Sequence, residues 1–183
     1  MASTPKGFDT LRVLIVEDKD HMRALLRRLL GHIGVRVMLE APDGAAALEV
    51  LRNNECDLIL SDLSMAPMDG LEFAKRVRSA KGGTTNPSVP IIMISGFTER
   101  AKVEAARDAG VSEVLVKPVT PQNLISRMTE VLERPRAFVR AETYSGPDRR
   151  RRQSGNYAGP GRRADDPPGT RGYLDPVKPT EKV

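Results

Sequence analysis

Cysteine is nearly missing from this chain of 183 residues: Cys56 stands alone, so no internal disulfide can form and a reducing, cytoplasmic setting is expected. No Cys/His cluster has the spacing of zinc ligands, and the two histidines, His21 and His32, flank the first predicted helix and read as surface residues. Long apolar runs are missing as well. The first, Val13 to Val16, ends at Glu17 and Asp18, too short for a signal peptide or a membrane span. There is no Gly-rich phosphate loop of the P-loop kind, no recognisable DNA-binding fold and no helical-bundle context for a phosphotransfer histidine. The length itself excludes a large multidomain enzyme and points to one compact domain plus an appendage.

What is present divides the chain in two. Up to Glu133 there are 17 basic and 18 acidic residues, whereas from Arg134 onward 12 basic face 6 acidic, so the overall +5 belongs to the tail. After an N-terminal segment, 1–10, residues 11–133 alternate short apolar runs with amphipathic segments, the pattern of parallel strands joined by crossover helices. Strands are predicted at Leu11 to Val16, Val35 to Leu39, Asp57 to Ser61, Ile91 to Ser95 and Ser112 to Val116, and their apolar continuity suggests cover on both faces. Met22, Leu25, Leu26, Leu29, Leu30 and Ile33 recur at helical spacing and predict the first helix, with Arg23, Arg27 and Arg28 on its other faces. Further helices are predicted near Gly44 to Asn53, from Asp69 to Ser79, from Glu99 to Ala109, and after Thr120 with Pro121 at the first position. The fold class expected is therefore α/β, a doubly wound parallel sheet of five βα units.

In such a sheet, chemistry collects beyond the carboxyl ends of the strands. Glu17 and Asp18 end the first strand, Asp62 follows the third, Ser95 ends the fourth, and Lys117-Pro118 follow the fifth. Three carboxylates brought together repel one another, and a hard divalent cation with oxygen ligands, Mg²⁺ foremost, relieves that repulsion. A hydroxyl and an ammonium opposite could hold two oxygens of a phosphoryl group during transfer to a carboxylate nucleophile. A haloacid-dehalogenase-like phosphatase would also use a nucleophilic Asp, but it usually places a second acid where Ser64 stands.

The motifs LIVED, LILSDLSMAPMDG, IIMIS and VLVKP, spread over residues 11–133, resemble the receiver domain of two-component response regulators, the CheY-like family. The resemblance implies the flavodoxin-like strand order 2-1-3-4-5. It implies Asp62 as phosphoacceptor, Ser95 and Lys117 as phosphoryl contacts, and Mg²⁺ on Asp18, Asp62, Glu17 through water and the Ser64 carbonyl. A histidine kinase or phosphotransfer protein would be the donor, and contact with another protein the output. The chain would not be an enzyme. Three positions depart from the usual pattern: Pro67 comes one residue late, Gly96 replaces a small Ala, and Val114 stands where many receivers carry a switch aromatic.

The tail, 134–183, is 26% Gly plus Pro with few large aliphatics, so it is expected to stay disordered until something binds. It contains a repeat: Tyr144-Ser-Gly-Pro-Asp148-Arg149-Arg150 returns as Tyr157-Ala-Gly-Pro-Gly-Arg162-Arg163. Arginine forks bind phosphate and the acceptor edge of guanine, tyrosine stacks, and an Asp can accept guanine's donors. The tail resembles the Arg-rich extension of CheY-like cyclic di-GMP effectors, which implies roles for Tyr144, Asp148, Arg149 to Arg152 (Arg150 and Arg151 between them), Tyr157, Arg162 and Arg163. The resemblance of the receiver to the CheY-like family implies the flagellar motor switch as a docking target. The charge run has other readings: a salt-sensitive anchor for nucleic acid, the less favoured ligand, or for an anionic membrane, or a solvated linker.

Overall fold

The computed structural model describes residues 7–79, 86–96, 100–141 and 144–149. Five parallel strands, β1 (Arg12–Val16), β2 (Val37–Ala41), β3 (Leu58–Asp62), β4 (Ile91–Ser95) and β5 (Glu113–Val116), lie in the order β2-β1-β3-β4-β5. The strand order expected from the sequence is the one found. Crossovers are α1 (Asp20–His32), α2 (Gly44–Asn53), α3 (Gly70–Arg78) and α4 (Arg100–Asp108), and α5 (Pro121–Glu133) follows β5.

Successive residues of a strand point to opposite faces, so a strand buried on both sides must be apolar throughout. Val13 and Ile15 of β1 join Leu58, Leu60, Ile92 and Ile94 beneath α1 and α5, which supply Leu26, Leu30, Leu124 and Met128. Leu14 and Val16 face the other way with Ile59, Ile91 and Met93, against Ala47, Leu51, Phe73, Val77 and Ala106 of the remaining helices. The predicted stripe on α1 is narrower than its sequence period suggests: Leu26 and Leu30 are buried, while Leu25 is 42% exposed. Asp69 caps α3 through Glu72 N–H, and Thr120 and Asn123 form a reciprocal capping box at α5, which begins at Pro121.

The expectation that the chain is unstructured from Arg134 onward is corrected for residues 134–141 and 144–149. There β6 (Phe138–Ala141) pairs antiparallel with β7 (Tyr144–Pro147). The hairpin packs against α3 and the α4–β5 connection. Gly110 has φ +84°, and a Cβ there would lie 2.7 Å from the Ser145 carbonyl oxygen. A Cβ on Gly146 would in turn lie 2.7 Å from the Gly110 Cα, so two backbones meet where neither tolerates a side chain.

Arg78, 3% exposed, stitches the junction by donating to the carbonyls of Gly110 (2.9 Å), Pro87 (2.6 Å) and Val89 (2.7 Å), with Phe138 beside its guanidinium. Burial lowers its pKa to about 10, which still leaves it charged at neutral pH. Arg136 donates to the carbonyls of Ser112 and Asp148 and faces Glu113. The hairpin therefore buys its order from contacts with the receiver rather than from its own apolar content.

Candidate functional site

Strand register builds the site as a staircase. Val16 is level with Ser61, so Glu17 stands beside Asp62 one residue later on each strand. Asp62 pairs with Ile94, which puts Ser95 one step beyond, and Ser95 pairs with Val116, which puts Lys117 one step beyond again. The Ser95 carbonyl accepts Lys117 N–H at 2.8 Å, tying the last two steps together.

Carboxylate oxygens of Glu17, Asp18 and Asp62 lie within 4.8 Å of one another. Lys117 Nζ reaches Asp62 Oδ1 at 2.6 Å and Glu17 Oε2 at 3.5 Å. Ser64 N–H donates to Asp62 Oδ2 at 2.9 Å, so both oxygens of Asp62 are held and the carboxylate is oriented before any partner arrives. The loop beyond it is pinned to the same strand end: Gly70 N–H donates to the Leu63 carbonyl, and a Cβ on Gly70 would lie 2.3 Å from the Asp62 carbonyl oxygen. The displaced Pro67 noted in the sequence follows a cis Ala66-Pro67 bond in this loop. Gly96 faces open space where an Ala would fit.

Glu17 is wholly buried and its Oε2 has no hydrogen-bond donor. Burial first, and then the neighbouring Asp62, pushes its carboxyl above the ordinary value of 4.5, against the pull of Lys117. Burial alone would pull Lys117 down, but its hydrogen bond and charge pairing with Asp62, together with Glu17, outweigh this and raise it. An undonated oxygen on a buried carboxylate, beside two further carboxylates, is the donor set a hard divalent cation takes, and the residues present fit Mg²⁺. Asp18 is the exposed member and contacts Lys19 at 3.6 Å.

Arg23 belongs to the site's support, although its sequence position suggested only an outer helix face. It donates to the Glu17 carbonyl at 2.8 Å and pairs with Asp20 and Glu40. Its fixing contacts come from a strand end six residues earlier and from β2, so no local pattern announces them. Val114, in place of the switch aromatic, lines a water-sized gap of about 10 Å³ with Leu63, Met93, Ser95, Lys102, Val103 and Ala106.

Among the described residues, Tyr144, Asp148 and Arg149 of the tail do not join this pocket. Tyr144 is buried in the hairpin, where its hydroxyl donates to the Pro147 carbonyl at 2.6 Å. Arg149 lies 4.3 Å over its ring and pairs with Asp108 at 3.0 Å. Asp148 N–H donates to the Ala137 carbonyl. Arg150, Arg151, Arg152, Tyr157, Arg162 and Arg163 lie outside the described residues.

A five-unit doubly wound sheet in the order 2-1-3-4-5, with its acidic pocket and lysine beyond the carboxyl ends of the strands, is the flavodoxin-like architecture. Residues 13–129 match the response regulator receiver domain family, and the chain belongs to that family. Among its relatives, the chemotaxis protein CheY homolog of Campylobacter jejuni is 36% identical over 123 residues, spanning 67% of this chain and 92% of that protein. Chemotaxis protein CheY1 of Helicobacter pylori is 36% identical over 123 residues, spanning 67% and 97%. Among solved structures, Vibrio cholerae CheY4 superposes with a TM-score of 0.60 at 31% identity, covering 67% of this chain and 98% of that one. The chain is thus a CheY-like two-component receiver. Among the described residues, no helix is long and apolar enough to cross a membrane.

Proposed function

We propose that the protein accepts a phosphoryl group on Asp62 from a histidine kinase or phosphotransfer protein and signals by contact with a protein target. The observation that carries this reading is the meeting of Glu17, Asp18 and Asp62 with Lys117 at one strand edge. An Asp62 carboxylate oxygen bonds to phosphorus as the donor's P–N bond breaks, and the histidine nitrogen keeps the bonding electron pair. Glu17, Asp18, Asp62 and the Ser64 carbonyl would hold Mg²⁺, which when bound offsets the negative charge of the carboxylates and of the incoming phosphoryl group. Lys117 holds Asp62 in place beforehand and, with Ser95, takes the phosphoryl oxygens.

Incubation of the full chain with Mg²⁺ and a small-molecule phosphodonor tests this. A mass increase of one phosphoryl group is expected, lost in Asp62→Asn. A folded, unmodified wild-type protein would remove the reading.

The finer part of the proposal is that the Arg-rich tail captures cyclic di-GMP through Arg149 to Arg152, Arg162 and Arg163, with Tyr144, Asp148 and Tyr157 beside them. In this reading the output is contact with the flagellar motor switch, in the cytoplasm. Its support is the duplicated motif, which suits a ligand of two equivalent halves. Calorimetric titration with cyclic di-GMP at low salt should give heat; its absence would refute tail capture. The second reading, a phospho-receiver tethered to nucleic acid or an anionic surface, draws on the same run of arginines. It predicts equal capture of DNA, with both affinities falling steeply as salt rises.

A further inference from the structure

Arg149 is already engaged in both of the ways an arginine recognises a nucleotide. Its guanidinium carbon lies over the Tyr144 ring, 4.3 Å from the centroid, where it could instead meet a base, and its Nη1 pairs with an Asp108 carboxylate oxygen at 3.0 Å, as it would with a phosphate. Tyr144 cannot follow Arg149 away from this position without breaking its bond to the Pro147 carbonyl and leaving the Gly110 junction. Asp108 is the last residue of α4, at the negative end of the helix dipole, where a carboxylate is unfavourable unless a cation answers it. The pair is open to solvent: the side chains of Arg149 and Asp108 are 30% and 49% exposed, so a dissolved anion can reach and compete with it.

From this geometry we infer that Asp108 is a built-in competitor for the tail's anionic ligand: it occupies Arg149 in the free protein and gives it up when a phosphodiester is captured. The inference rests on the proposal that the tail binds cyclic di-GMP. Tyr144, Gly146, Pro147 and Arg149 of the first repeat then have two tasks, seating the hairpin on the receiver and presenting an arginine that a ligand withdraws from α4. Glu104, one turn earlier on α4, pairs with Arg100 at 2.9 Å and serves as a control for charge alone.

Calorimetric titration of the full chain with cyclic di-GMP at physiological salt tests the competition in five proteins: wild type, Asp108→Asn, Glu104→Gln, Arg149→Ala and the Arg149→Ala/Asp108→Asn double variant. Exposed pairs of this kind are weak, so Asp108→Asn should tighten binding by about two- to fivefold. Glu104→Gln, which removes the same charge, should leave affinity near wild type. In an Arg149→Ala background the Asp108→Asn gain should vanish, because no guanidinium remains to be released. Equal tightening by Glu104→Gln, an unchanged affinity in Asp108→Asn, or a gain that persists without Arg149 would overturn the competition while leaving tail capture standing. Absence of heat from all five proteins would overturn tail capture and the competition together. Thermal unfolding of each variant confirms that the receiver is folded.

Discussion

Glu17→Gln isolates the electrostatic cost built into the acidic pocket. At an effective dielectric constant near 20, a unit charge within 4.8 Å of Asp62 is repelled by about 3.5 kcal/mol or more, the exposed Asp18 adds a smaller, solvent-screened repulsion, and Lys117 at 3.5 Å returns about 4.7 kcal/mol of attraction. The attraction of Lys117 is thus largely offset by the two carboxylates. What remains is the cost of burying a carboxylate that has no accessible surface, several kcal/mol for an ion, against about 1–3 kcal/mol for an amide left short of partners. The metal-free variant should therefore be more stable than wild type near neutral pH by about 1–3 kcal/mol, or roughly 2–12 °C in Tm for a domain of this size.

The pH dependence has a definite sign. Because the folded-state pKa of Glu17 lies above 4.5, its contribution to stability is favourable below that value and is lost as pH rises through the folded value. The gap between variant and wild type should thus narrow as pH falls from about 7.5 toward 5. Added Mg²⁺ should stabilise wild type more than the variant, since the variant lacks one carboxylate of the cluster. Thermal unfolding in chelator, then with Mg²⁺, reads all three effects. A variant less stable than wild type in chelator at neutral pH, or an equal gain from Mg²⁺ in both, would refute the reasoning.

Arg78→Ala leaves the carbonyls of Gly110, Pro87 and Val89 without their donor in a buried junction, and should cost about 3–5 kcal/mol in urea denaturation. Arg78→Lys should recover only part of it, because an ammonium cannot reproduce the planar fork. Gly146→Ala puts a Cβ 2.7 Å from both the Gly110 Cα and the Tyr144 hydroxyl oxygen, so the hairpin cannot seat. Amides of 138–149 should then exchange much faster while those of the five-stranded sheet keep their protection, a contrast that hydrogen-exchange mass spectrometry resolves.

The sheet was legible because its signals are local. Ile91–Ser95 and Gly44–Asn53 fall where their apolar runs and turn residues put them, and the Asp69 and Thr120 caps are written in adjacent residues. The second strand sits two residues later than its apolar run suggested. Val35 is buried but spends its N–H on the Leu30 carbonyl at the end of α1, so the ladder starts at Val37. The acidic pocket was legible for a related reason: each member sits at a strand end, and a parallel sheet places consecutive strand ends side by side. The hairpin was not legible. Phe138, Val139 and Tyr144 are too few to predict burial by themselves, and the surface that orders them comes from Arg78 and Gly110, dozens of residues away.

That placement gives α4 a particular position in the molecule. Lys102, Val103 and Ala106 line the gap shared with Ser95 and Val114, while Asp108 at the helix end holds Arg149. An element that touches two sites is a candidate to couple them, and α4 does so over a span of nine residues. Val114 lines that gap without an aromatic ring, so coupling through this region would have to involve α4 itself. If α4 shifts as a unit, a change at its Ser95 end reaches Asp108, and by linkage a ligand that withdrew Arg149 would then bias the pocket by the same free energy.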